Sequence, residues 1–107
     1  MNILEVLVNL DNYAVRVELF EATPEKLLQV DDILSTLNFG SYATKKDSDS
    51  NWFFCLPSGL YFGQSDVSAA VLCQRVSTSL KDHQLECRVF VSKVVDWAGT
   101  EVSESAL

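Results

Sequence analysis

Between Tyr13 and Leu19 the apolar residues Tyr13, Val15, Val17 and Leu19 alternate with Ala14, Arg16 and Glu18. Alternation with a period of two sends every second side chain to one face, so this stretch is a strand with one side to bury. The period then changes. Thr23-Pro24-Glu25 offers a hydroxyl N-cap, a proline in the first turn and a carboxylate at the positive end of a helix dipole. Leu27, Val30, Leu34 and Leu37 recur at helical spacing with Ile33 beside them, while Glu25, Gln29 and Asp32 fall on the other side. A one-faced strand followed by a one-striped helix must fold back on itself, because neither can bury its apolar side alone.

The same alphabet repeats down the chain. Asn38-Phe39-Gly40 ends the first helix, with Gly40 placed for a left-handed cap. Ser41 to Lys46 and Trp52 to Leu56 read as two strands of a hairpin joined by the polar loop Asp47-Ser48-Asp49-Ser50-Asn51. Ser65-Asp66 starts a second helix whose Ala69, Leu72, Cys73, Val76 and Leu80 form one stripe, and Lys81-Asp82-His83-Gln84 stops it. Leu85, Cys87, Val89 and Val91 then alternate with Glu86, Arg88, Phe90 and Ser92 as a last strand.

The order strand, helix, strand, strand, helix, strand predicts an α+β domain of the ferredoxin-like β-α-β-β-α-β type, an antiparallel sheet with two helices on one face. That domain covers residues 13–98. Residues 1–12 form an N-terminal extension, in which Leu4, Val6, Val8 and Leu10 alternate as an extra strand and Leu4, Leu7 and Val8 fit a short helix; the strand is preferred. Residues 99–107 are a polar, acidic tail, expected to fray.

At 107 residues the chain has room for one core. Its eight basic and fifteen acidic residues give a formal charge of −7, which repels phosphate and disfavours RNA, and no basic run exceeds Lys45-Lys46. No apolar run approaches the ~18 residues of a membrane helix, and the start lacks the basic segment of a secretory signal. A cytoplasmic protein without a membrane contact is expected. Cys55, Cys73 and Cys87 are odd in number, lack a CxxC spacing and sit among apolar residues, so they read as buried reduced thiols.

Catalytic chemistry finds little to work with. His83 is the single histidine, which excludes a histidine dyad and any multi-histidine metal site, and it reads as a surface residue at a helix exit. Asp11-Asn12 is ordinary turn chemistry. Asp47 and Asp49 have an alternating spacing but lack the glycine and late glutamate of a calcium loop. Ser58-Gly59 lacks the strand-turn-helix setting of a nucleophile elbow, and no cysteine has an activating base at readable spacing. No catalytic residue, metal or cofactor is predicted, and a non-enzymatic role is favoured.

Trp52 to Gly63 holds five of the eleven aromatics. Alternation sends Trp52, Phe54 and Leu56 one way and Phe53 and Cys55 the other, so both faces are apolar while the helices cover one. The remainder needs a partner subunit, a covering loop such as Leu60-Tyr61-Phe62, or a ligand. RNA-binding sheets pair stacking aromatics with lysine and arginine, which this stretch lacks. Arg16 and Glu18 on the first strand and Glu86 and Arg88 on the last read as opposite charges across a sheet face, with a binding face or a dimer contact as the other readings. The candidate interface is therefore Trp52, Phe54, Arg16, Tyr61 and Phe62. Its simplest partner is a second copy, packing by the covering loop is the next reading, and another protein is a further candidate partner.

Three passages carry a resemblance: Tyr13-Ala14-Val15-Arg16-Val17-Glu18-Leu19, the helix end Leu37-Asn38-Phe39-Gly40, and Leu56-Pro57 followed by Tyr61. With Trp97 they resemble a family of small bacterial and phage proteins that show a VRVEL strand, a "GF" after the first helix and an LP…Y loop. That family is grouped with the GhoS-type antitoxin, a ferredoxin-like endoribonuclease. The resemblance spans residues 13 to 97 and implies the ferredoxin-like fold, a setting on a mobile element in a toxin-antitoxin system, and, as the alternative function, cleavage of a specific mRNA. It also implies a metal role for Asp11, since related nucleases carry a metal-binding aspartate before the first strand. The chain departs from the pattern at Phe20, where members often carry histidine, and in the added N-terminal ten residues.

Overall fold

The computed structural model describes residues 10–47 and 50–103, with residues 45–47 and 50–52 described through their backbone. The order is β1 (Asp11–Leu19), α1 (Pro24–Thr36), β2 (Phe39–Gly40), β3 (Tyr42–Asp47), β4 (Ser50–Cys55), β5 (Leu60–Ser65), α2 (Ala69–Asp82) and β6 (Cys87–Lys93). The fold is α+β. Four antiparallel strands form one sheet in the order β2-β5-β1-β6, and β3 and β4 form a two-stranded sheet of their own.

β1 lies inside the sheet, and its alternation sorts the whole molecule into two sides. Tyr13, Val15 and Val17 are buried, and Val15 lies between Tyr61 of β5 and Val91 of β6. Val30, Ile33 and Leu34 of α1 and Leu72, Val76 and Leu80 of α2 close over that face to make a single core, with Val89 and Val91 packed at its margin. Phe39 joins the core from β2, and Leu85 plugs it beneath the end of α2.

The hairpin expected from Ser41–Lys46 and Trp52–Leu56 forms, with Ala43 opposite Phe54 and Thr44 opposite Phe53. It is an arm beside the main sheet rather than its middle, and its strands run further than expected, to Asp47 and from Ser50. The neighbour of β1 is instead Leu60–Ser65, of which Leu60-Tyr61-Phe62 is expected to be a covering loop, so the element count departs from β-α-β-β-α-β. The turn Pro57-Ser58-Gly59 feeds this strand, closed by the Leu60 N–H on the Pro57 carbonyl at 3.1 Å. Its apolar alternation is interrupted at Gly63, and the structure shows why. A Cβ on Gly63 would stand 2.6 Å from both the Asn38 carbonyl oxygen and the Phe39 ring, so only glycine lets β2 lie this close.

The element ends show how local chemistry sets the boundaries. The Thr23 hydroxyl accepts the Lys26 N–H at 3.2 Å, and α1 opens at Pro24 as its sequence predicts. At its far end the left-handed residue is Asn38, with φ 68°, not Gly40, which pairs with Phe62 in β2. α2 opens at Ala69, capped by the Ser68 hydroxyl accepting the Val71 N–H at 3.2 Å, later than the expected Ser65-Asp66. Ser65 uses its hydroxyl on the Val67 N–H in the preceding turn. β6 begins at Cys87, because Leu85 still donates its N–H to the Leu80 carbonyl. The N-terminal extension lies outside the described residues up to residue 9, and residues 100–103 carry no regular element.

Two tyrosines join the layers through their hydroxyls. Tyr13 donates to the Val67 carbonyl at 2.8 Å, and Tyr61 donates to Asp31 Oδ1 on α1 at 2.5 Å. Burial, and behind it the Asp31 carboxylate, push the Tyr61 phenol well above its usual pKa. The folded state therefore holds this proton more tightly than the unfolded chain does. The resulting stability is fully present below the unfolded value of about 10 and is lost as pH rises from there through the folded value. Urea midpoints should fall more steeply above pH ~10 in the wild type than in Tyr61→Phe, which at neutral pH should be less stable by ~1 kcal/mol through the lost hydrogen bond. Parallel pH profiles for the two proteins would contradict this.

Candidate functional site

The side of the sheet away from the helices carries the even-numbered residues of its three long strands. Glu18 stands opposite Arg88 and Arg16 opposite Phe90. Arg88 Nη1 lies 3.7 Å from Glu18 Oε1, with the two side chains 77% and 55% exposed, so the pair contributes at most about 1 kcal/mol. The Arg88 guanidinium carbon also lies 5.6 Å from the centroid of the Phe20 ring. With Arg16 and Phe90 these charges line a shallow depression of about 490 Å³. Phe90 is 68% exposed at the centre of β6.

Further along the same face the chain covers itself. After β6 the Val94 N–H donates to the Asn12 carbonyl at 2.8 Å, and the segment then reaches across β1 to put Trp97 against Phe62. Those rings stand 5.9 Å apart at 80°, and Trp97 lies 6.4 Å from Phe54 on the arm. Gly99 passes directly beside Phe54, where a Cβ would come within 2.7 Å of the ring. Arm, sheet and C-terminal segment together enclose a cleft of about 820 Å³ whose walls include Tyr42, Thr44, Asn12 and Gln64. Gln64 donates its amide to Asn12 Oδ1 at 3.2 Å, and the Trp97 N–H donates to Asp96 Oδ1 at 2.9 Å.

The five sequence candidates thus part company. Phe54 and Phe62 come together through Trp97 and are half-buried, and Arg16 is exposed beside Phe90. Tyr61 is 2% exposed, because its position on β5 faces the helices, and it belongs to the core rather than to a surface. The Trp52 side chain lies outside the described residues. On the face of the arm opposite to Phe54, Tyr42 and Phe53 are exposed and meet edge to face at 6.0 Å. Cys55 shares that side, opposite Tyr42, so it is exposed rather than buried as expected; Cys73 and Cys87 are half-buried, and all three are free thiols.

Asp11 and His83 make ordinary contacts. Asp11 meets Lys93 Nζ at 3.3 Å, and His83 Nδ1 lies 2.8 Å from the Ser79 carbonyl one turn back. Burial pushes the Cys87 thiol up, away from thiolate chemistry. Among the described residues no three histidine, cysteine or acidic side chains gather as a metal cluster, and no helix is long and apolar enough to cross a membrane. Phe90 is not among the sequence candidates although its signal was present: an aromatic on the polar side of an alternating strand. Trp97 had no such signal, since nothing local says which distant rings it will reach.

Trp97→Ala should remove the clasp between arm and sheet, with a loss of ~2 kcal/mol in urea unfolding and faster amide exchange across β4 than across β1. Unchanged exchange in β4 would show that the arm is held by other contacts. The chain matches no protein-family model, and neither a curated protein nor a solved structure matches it.

Proposed function

We propose that this chain is a small non-enzymatic interaction protein that acts as a homodimer through its sheet, on a ferredoxin-like frame. In this reading β1, β5, β6 and the short β2 are the four strands of the frame, and the β3–β4 hairpin is an arm inserted after β2. The first and last strands lying side by side, with both helices contributing to one core, support it.

The observation that carries the functional reading is Phe90. A phenylalanine 68% exposed beside a mutually neutralising Arg88–Glu18 pair is an apolar centre with a polar rim, the composition of a protein contact. The −7 charge keeps polyanions at a distance, and the aromatic rings nearest the cleft are already occupied by one another. A second copy is the simplest complement, since an isologous contact lets one apolar ring meet its own equivalent.

Light scattering across a wide concentration range tests this. The wild type should have twice the chain mass, and Phe90→Asp should be a monomer with an unchanged circular dichroism spectrum. A wild type that stays monomeric at the highest concentration would contradict the proposal.

A further inference from the structure

We infer that two copies join along the free edge of β6, antiparallel about a two-fold axis at Phe90, so that their sheets become one. This rests on the homodimer reading and gives it a register. β6 ends the strand order, so among the described residues nothing pairs with its outer side over seven residues.

The direction of each backbone group follows from the two bonds that flank the β1–β6 ladder. Phe20 donates its N–H to the Glu86 carbonyl at 3.1 Å, and Val94 donates to the Asn12 carbonyl at 2.8 Å. Both pairs continue the register that sets Glu18 opposite Arg88 and Ala14 opposite Ser92. Hydrogen-bonded and non-hydrogen-bonded pairs alternate in an antiparallel ladder, so Arg88, Phe90 and Ser92 turn their N–H and C=O groups to β1. Cys87, Val89, Val91 and Lys93 turn theirs outward. The one described contact on those outward groups is the Cys73 thiol, at 4.0 Å from the Val89 carbonyl.

An edge that no described residue pairs invites another strand, and charged side chains, lysine above all, are a common defence against it. Here the charges are balanced from within, Arg88 by Glu18 and Lys93 by Asp11. Phe90 is the midpoint of Cys87–Lys93, so an axis there uses the whole strand, and any other register shortens it. In that register Val89 forms hydrogen-bonded pairs with Val91 of the partner subunit. Arg88 faces the partner subunit's Ser92, Cys87 faces the partner's Lys93, and no like charges meet. Phe90 faces Phe90 of the partner subunit in a non-hydrogen-bonded pair, where opposed side chains approach most closely. The other sheet edge is β2, only two residues long, so the assembly closes at two copies.

Cysteine cross-linking reads this register directly, in a Cys55→Ser background that removes the exposed thiol. Phe90→Cys should give a covalent dimer under mild oxidation, since opposed Cα atoms about 4.5 Å apart suit a disulfide. Ser92→Cys should not, because its copies would stand about 13 Å apart along the strands. Val91→Pro, which removes an outward N–H, should abolish the dimer by light scattering with no change in circular dichroism. A light-scattering dimer that survives Val91→Pro, or that cross-links no better at Phe90→Cys than at Ser92→Cys, overturns the edge pairing while leaving the homodimer reading intact. A wild-type monomer overturns both.

Discussion

Burial of the odd-numbered face of β1 is the constraint on which everything else depends. Tyr13 and Val15 sit with strands on both sides, Val17 lies between β6 and the turn that feeds β5, and helices close above all three, so their alternation decides which side of the sheet is core. It places the two helices on one side and commits Arg16 and Glu18 to the other. It also fixes the phase of β6, since each pairing with β1 assigns a β6 residue to one face and its backbone groups to one edge. The exposure of Phe90 and the outward amides of Val89 and Val91 are consequences of that phase.

The arm and the C-terminal segment answer a second problem, the open face of a two-layer fold. A sheet with helices on one side leaves its other side to water, to a partner, or to more of the same chain. This protein uses the chain itself for part of that face, where Trp97 bridges Phe62 and Phe54, and among the described residues nothing covers the β6 end. At that end an exposed ring coincides with a strand edge that no described residue pairs, which is why the proposed partner is placed there rather than at the arm.

Much of this was legible in the sequence because it is local. The strand at Tyr13, the helix opened by Thr23-Pro24, the second apolar stripe and the last strand follow from spacing and caps alone. What was not legible depends on distant neighbours. The Ser41–Cys55 region alternates well enough to be a pair of strands, but pairing says nothing of which sheet the pair joins. Leu60–Ser65 was hidden because Gly63 and Gln64 interrupt its pattern, and the need for Gly63 arises from the Asn38 carbonyl and the Phe39 ring some two dozen positions earlier. Among the candidate residues, alternation placed Arg16 on the open face, where it is exposed, but Tyr61 was assigned to a surface, because a strand mistaken for a loop has no assigned face.

The most direct measurement is residue-resolved amide hydrogen exchange along β6. With two copies paired along β6, the outward N–H groups of Val89 and Val91 should be protected to the same order as that of Phe90, which points into the sheet, and their protection should weaken on dilution. Exchange of Val89 and Val91 at solvent rates at every concentration, with Phe90 protected, would contradict that pairing.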